Sequence, residues 1–192
     1  MASNPVTKLT AEEYLALDRA AERKSEFFYG EMFAMSGVSM PHARLQTNLT
    51  AELFAALRGA DCEVFGSDLR VRVSRDMYVY PDVAIVFGTP ILGDQQHQDI
   101  LLNPIVLFEV LSPTTETYDR GLKFQNYRTI ESLKEYILVD QAKVRVEQYI
   151  LQPNDTWSLR DYKSLDGQLE MPSIDVSIPL ARIYDRVELS AS

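Results

Sequence analysis

Two segments of this chain, Asp82-Val83-Ala84-Ile85-Val86-Phe87 and Ile105-Val106-Leu107-Phe108-Glu109-Val110-Leu111, are apolar at almost every position. A strand with one wet face alternates apolar and polar residues, so unbroken runs of this length predict strands covered on both faces. Both runs fall far short of the roughly 20 residues that cross a bilayer, and no membrane span is expected. Ser112-Pro113-Thr114-Thr115 then supplies a break and a cap, a helix is predicted from about Glu116 to Thr129, and Tyr136-Ile137-Leu138-Val139-Asp140 reads as the next strand. Strand, helix and strand in that order imply a right-handed crossover and a partly parallel sheet. The expected class is α/β, with a mixed central sheet flanked by helices.

Upstream, Thr10 and Glu13 form a capping box for a helix running to about Glu22, with Leu9 and Tyr14 as its hydrophobic staple. Glu26 to Tyr29 and Met32 to Met35 flank Gly30-Glu31 as a hairpin. Pro41 suits the first turn of a second helix, whose Leu45, Leu49, Leu53, Phe54 and Leu57 recur at helical spacing until Gly59. Leu69, Val71 and Val73 alternate with Arg70, Arg72 and Ser74 as in a half-buried strand. The last third, Val144 to Ile150, Trp157 to Tyr162 and Ile174 to Ile178, reads as additional antiparallel strands with turns at Pro153-Asn154-Asp155 and Asp166-Gly167. With 192 residues, 46% of them hydrophobic, one core can be filled, so a single domain spanning 1–192 is expected.

The formal charge of -9, from 28 acidic and 19 basic residues, argues against a protein that coats nucleic acid through a basic surface, although carboxylate-rich metal sites and local basic stripes remain compatible with it. The lone Cys62 excludes an internal disulfide, and no cysteine or histidine spacing suggests zinc. The N-terminal stretch lacks a basic leader and an apolar signal core, which predicts a cytoplasmic protein.

The chemistry sits where charge interrupts the two apolar runs. Asp82 opens one directly after Pro81, and Glu109 lies inside the other. A carboxylate in such a setting is costly unless paired, hydrogen-bonded or metal-bound. Two on neighbouring strands can hold a hard cation such as Mg²⁺; a buried glutamate paired with an arginine is the competing reading.

Pro81-Asp82, Glu109-Val110-Leu111-Ser112-Pro113, Asp119-Arg120-Gly121-Leu122-Lys123 and Tyr127, in this order, resemble the Uma-two family of restriction-endonuclease-like proteins within the PD-(D/E)XK nuclease superfamily. The likeness extends from Glu26-Phe27-Phe28-Tyr29-Gly30-Glu31, through Met35-Ser36 and Pro41-His42, to Glu135 and Asp140. It implies a restriction-endonuclease-like fold, Asp82 and Glu109 as ligands of Mg²⁺ or Mn²⁺, and DNA as substrate. The catalytic lysine that commonly stands two residues after the glutamate is Leu111 here, and Lys123 is its implied replacement. Its competing reading is a solvated helix lysine paired with Asp119.

Glu26 matches an acidic residue that the superfamily places near its metals, and it reads equally as a strand-edge residue. His42 could contact phosphate or cap the second helix. Arg70, Arg72 and Arg75 could form a phosphate-contacting stripe or a plain solvated face. Tyr127 could support Lys123 or join the core, while His97, Asp68 and Cys62 are expected to stay outside the chemistry. With these residues in place, the resemblance implies a metal-dependent endonuclease, paired as a homodimer if it cuts both strands. The rival is a noncatalytic nucleic-acid-binding or regulatory module that retains the fold.

Overall fold

The computed structural model describes residues 8–189; the first seven positions, part of the stretch read above for a leader, lie outside them. Thr10 caps α1 (Ala11–Ala20) through the reciprocal bonds of the predicted box, at 3.2 and 2.8 Å, and the helix stops two residues short of Glu22. The hairpin follows as β1 (Ser25–Phe28) and β2 (Glu31–Ala34). Its two-residue turn holds both Tyr29 and Gly30 at positive φ, 47° and 94°, which matches the twist of the flanking strands. Ser39 caps α2 (Met40–Ala56), accepting from the His42 amide, so His42 itself does not cap. Leu45, Leu49 and Leu53 are fully buried along this helix.

Then come β3 (Cys62–Gly66), β4 (Arg70–Ser74), β5 (Met77–Val79), β6 (Val83–Phe87), β7 (Ile100–Leu101) and β8 (Val106–Leu111). The predicted helix is a segmented run over 116–127: α3 (Glu116–Tyr118), a π-helical turn (Asp119–Lys123) and α4 (Phe124–Tyr127). It is followed by β9 (Glu135–Asp140), β10 (Val146–Leu151), β11 (Trp157–Tyr162), β12 (Gln168–Met171), β13 (Val176–Pro179) and α5 (Leu180–Ile183).

The two apolar runs are antiparallel neighbours in a six-stranded sheet of order β11-β10-β9-β8-β6-β3, and β8 pairs with β9 in parallel across the helical run. This is the mixed sheet the sequence predicts. Both of its faces are covered. Val106, Phe108 and Val110 pack with α2, α5 and the β12-β13 pair, whereas Leu107 and Leu111 pack with Tyr127, Leu133 and Tyr136. A second sheet, β2-β1-β5-β4-β7, was not expected. Its β5 and β7 are three and two residues long, too short to show a period. No helix among the described residues is long and apolar enough to cross a membrane.

Candidate active site

Asp82 stands one residue before β6, and its amide donates to the Phe108 carbonyl at 3.1 Å. The paired register ends at Val83 opposite Phe108, and Asp82 lies one residue beyond it, in a bend at the mouth of β6. Asp82 and Glu109 line one cavity of about 860 Å³, together with Glu26, His42, Asp119 and Lys123.

Hydrogen bonds fix the two acids. The Val110 amide donates to Asp82 Oδ2 at 2.7 Å, and His42 Nε2 lies 2.9 Å from Oδ1. A carboxylate only accepts, so that imidazole nitrogen carries the proton. Tyr127 donates its hydroxyl to Glu109 Oε1 at 2.7 Å, which makes it a partner of the glutamate as well as a core residue. Lys123 Nζ lies 2.8 Å from the same oxygen, 3.0 Å from Glu26 Oε1 and 3.7 Å from Asp119 Oδ1. Only 4% of Lys123 is exposed, which rules out the solvated-lysine reading.

The helical run explains this convergence. Glu109 alternates with Leu107 and Leu111 toward the face that the run covers. At 3.6 residues per turn, positions four apart drift by about 40° per step, and a wider π-turn reduces that drift. Asp119, Lys123 and Tyr127, spaced by four, are all buried toward the sheet.

Burial pushes the Glu109 carboxyl well above the usual carboxylate range, against the pull of Lys123, and Asp119 is raised in the same way. Burial alone would lower Lys123, but Glu109, Glu26 and Asp119 outweigh it and hold the ammonium well above its ordinary value. Glu26, Glu109 and Asp119 face Lys123, a formal surplus of two negative charges, and Asp82 lines the same cavity. A buried surplus of that kind calls for protons or another cation.

Among the described residues no group of three His, Cys, Asp or Glu side chains has metal-holding geometry. The Lys123 ammonium lies among Glu26, Glu109 and Asp119. The pair Asp82 and Glu109 still fits a hard cation, because Mg²⁺ is held by one or two carboxylates with water and phosphate supplying the rest.

The remaining candidates lie elsewhere. Arg70 is buried and bonded to Asp18 and Asp99, each at 2.8 Å, so it leaves no guanidinium for a phosphate stripe. Arg72 is exposed on β4 and Arg75 lies in the following turn; neither lines the cavity. His97 pairs with Asp94 and Asp68 with Lys24, both at the surface. Cys62 packs, partly buried, beside the core at the start of β3. Sequence reasoning missed Asp119 as a cavity residue, although its spacing from Lys123 pointed to it, and it missed Tyr80 and Tyr118, for which no signal existed.

A family model described as "Uma2: Putative restriction endonuclease" matches residues 11–181. Two uncharacterized proteins of Synechocystis sp. are similar over most of their length. With slr1290 the identity is 34%, covering 95% of this chain and 94% of that protein; with sll1609 it is 37%, covering 84% and 92%. The fold matches the crystal structure of a protein from Anabaena variabilis, titled a "putative nuclease belonging to DUF820", with a TM-score of 0.77 and 17% identity over 94% of this chain and 99% of that one. The motif order, the cavity they converge on and these matches lead to one assignment: the chain belongs to the Uma2 family.

Proposed function

We propose that this chain is a metal-dependent nuclease of the PD-(D/E)XK type that hydrolyses phosphodiester bonds, with DNA as its substrate. The observation that carries the reading is the convergence of Asp82, at the mouth of β6, and Glu109, within β8, on one cavity, with a buried Lys123 on the glutamate. Bound by these two carboxylates, Mg²⁺ or Mn²⁺ would polarise a phosphate oxygen and lower the pKa of a water. His42 and the Val110 amide orient Asp82, and Tyr127 orients Glu109. Lys123 holds a fixed positive charge beside the position where the phosphoryl oxygens gain negative charge. Glu26 and Asp119 aim that ammonium and act as positioning residues. We further propose that the chain is one domain, because a single sheet gathers strands from Cys62 to Tyr162.

Nicking of supercoiled plasmid and cleavage of single-stranded circular DNA in Mg²⁺, in Mn²⁺ and in EDTA test the reading, with Glu109→Gln in parallel. Cleavage is expected with either metal and should be lost in EDTA and in the variant. Cleavage that survives EDTA, or that Glu109→Gln retains in full, overturns it.

A further inference from the structure

The cavity has a second wall that the cleavage chemistry does not use. In the β1-β2 hairpin Glu26 pairs with Phe33 and Phe28 with Glu31, so these four side chains share one face, and all four line the cavity. The opposite face, Phe27 and Met32, packs against Tyr14 and Tyr78 in the core beneath α1. Phe33 is therefore the cross-strand neighbour of the glutamate that holds Lys123, yet it is 51% exposed. At the turn of the same hairpin stands Tyr29, its ring edge-on to Phe28 at 4.6 Å and 48% exposed, at a backbone φ of 47° in a turn position where Asn or Gly is favoured. A bulky residue held at positive φ is strained, and strain of this kind concentrates at ligand-contacting positions.

The charges point the same way. The basic side chains among the described residues lining the cavity are Lys8 and Lys123, and Lys123 is already committed to carboxylates. Duplex binding draws most of its nonspecific affinity from many phosphate contacts, for which this cavity has few cations. Single-strand sites replace part of that affinity by stacking bases on aromatic side chains. A volume of about 860 Å³ also lies within the size range of small-molecule pockets, roughly 300–1,000 Å³.

We infer that the Phe33-Tyr29-Phe28 wall is a base-stacking platform and that the site takes unpaired nucleotides of a single strand rather than an intact duplex. This rests on the nuclease reading above and names its substrate class. Phe33 pairs across the hairpin with the glutamate that holds Lys123, so a base stacked on Phe33 lies beside the cavity that Asp82 and Glu109 line.

Fluorescence anisotropy with a short labelled oligonucleotide tests it, using the full chain in Mg²⁺ and in EDTA and checking strand integrity on a gel. The probes are the single strand, the same strand annealed to its complement, and an abasic strand with equal phosphate count, each in deoxy and ribo form. The single strand is expected to bind about tenfold tighter than the duplex, and the abasic strand to lose about the same factor. Tight base-dependent binding in either backbone supports the inference, and the tighter form identifies the source. Phe33→Ala should weaken single-strand binding about tenfold while Phe33→Trp retains it. Tyr29→Asn should weaken binding with an unchanged or raised melting temperature, since Asn suits the turn better, a combination that a merely structural tyrosine would not give.

Duplex affinity equal to or above that of the single strand, or an abasic strand bound as tightly as the intact one, overturns the inference. So does a folded Phe33→Ala protein with parental affinity. Metal-dependent cleavage of a duplex together with any of those results leaves the nuclease reading standing alone. Base-dependent single-strand binding with no cleavage in any metal removes the nuclease reading and leaves the platform.

Discussion

Lys123→Met keeps the apolar stem and removes the ammonium from among Glu26, Glu109 and Asp119, at 3.0, 2.8 and 3.7 Å. At an effective dielectric of about 20, each such contact is worth roughly 4–6 kcal/mol of attraction, most of it offset by dehydrating the groups. Removing one member of a buried pair costs about 3–5 kcal/mol, because the other charge stays buried and unpaired. For a chain of this size that corresponds to a fall in Tm of roughly 6–20 °C. Burial already raises Glu109 and Asp119, and Lys123 is the strongest influence pulling both back. Their folded values should therefore climb further in the variant. A carboxyl that keeps its proton longer in the folded state makes stability fall as pH rises between its unfolded and folded values. The deficit should thus be larger near about pH 8 than near about pH 5. Calorimetric melts in EDTA at both pH values read this directly, and Mn²⁺ should recover more of the lost stability in the variant than it adds to the parent. Plasmid nicking should fall by at least about a hundredfold, or roughly 2.7 kcal/mol. A variant melting within about 2 °C of the parent at both pH values in EDTA would refute the buried-cation argument.

Glu109→Gln preserves shape and removes a ligand charge, so calorimetric Mn²⁺ affinity and nicking should fall together, each by about tenfold or more; unchanged Mn²⁺ affinity would remove Glu109 from the metal site. Arg70→Ala should cost about 3–5 kcal/mol by stranding Asp18 and Asp99, yet leave the salt dependence of oligonucleotide binding unaltered, because that guanidinium is committed inside the fold. Cys62→Ser should leave nicking at the parental rate, since burial pushes the Cys62 thiol up and the residue does not line the cavity; a folded variant without activity would contradict this.

The parts of the fold that could be read from sequence were those whose burial writes a period. The runs at 82–87 and 105–111 are apolar on both faces because covers lie on both sides, and they became adjacent strands. The two acids stood out for the same reason, as charges where neighbouring positions allow none. Arg70 misled because alternation reports which positions share a face, not what covers it. Its partner Asp18 lies 52 residues away on α1, and the second sheet that brings them together is built from strands too short to leave a signature. The cavity role of Lys123 was legible through family resemblance alone; its burial was not, because no residue type marks a π-turn.

The position of that lysine follows from the strand that bears the glutamate. A cation two residues after Glu109 would leave the same face of β8 and displace Leu111, which is buried against Tyr127, Leu133 and Tyr136. Supplying it from the helical run lets Leu111 complete the core. The lysine then depends on how that run packs. Phe124, directly after the π-turn, stacks on Tyr136 at 5.2 Å between ring centroids, and the Tyr136 hydroxyl donates to the Asp119 carbonyl at 3.1 Å. Aromatic packing therefore fixes the distance between Lys123 and Glu109 here, where a strand-borne lysine would have it fixed by the backbone of β8 itself.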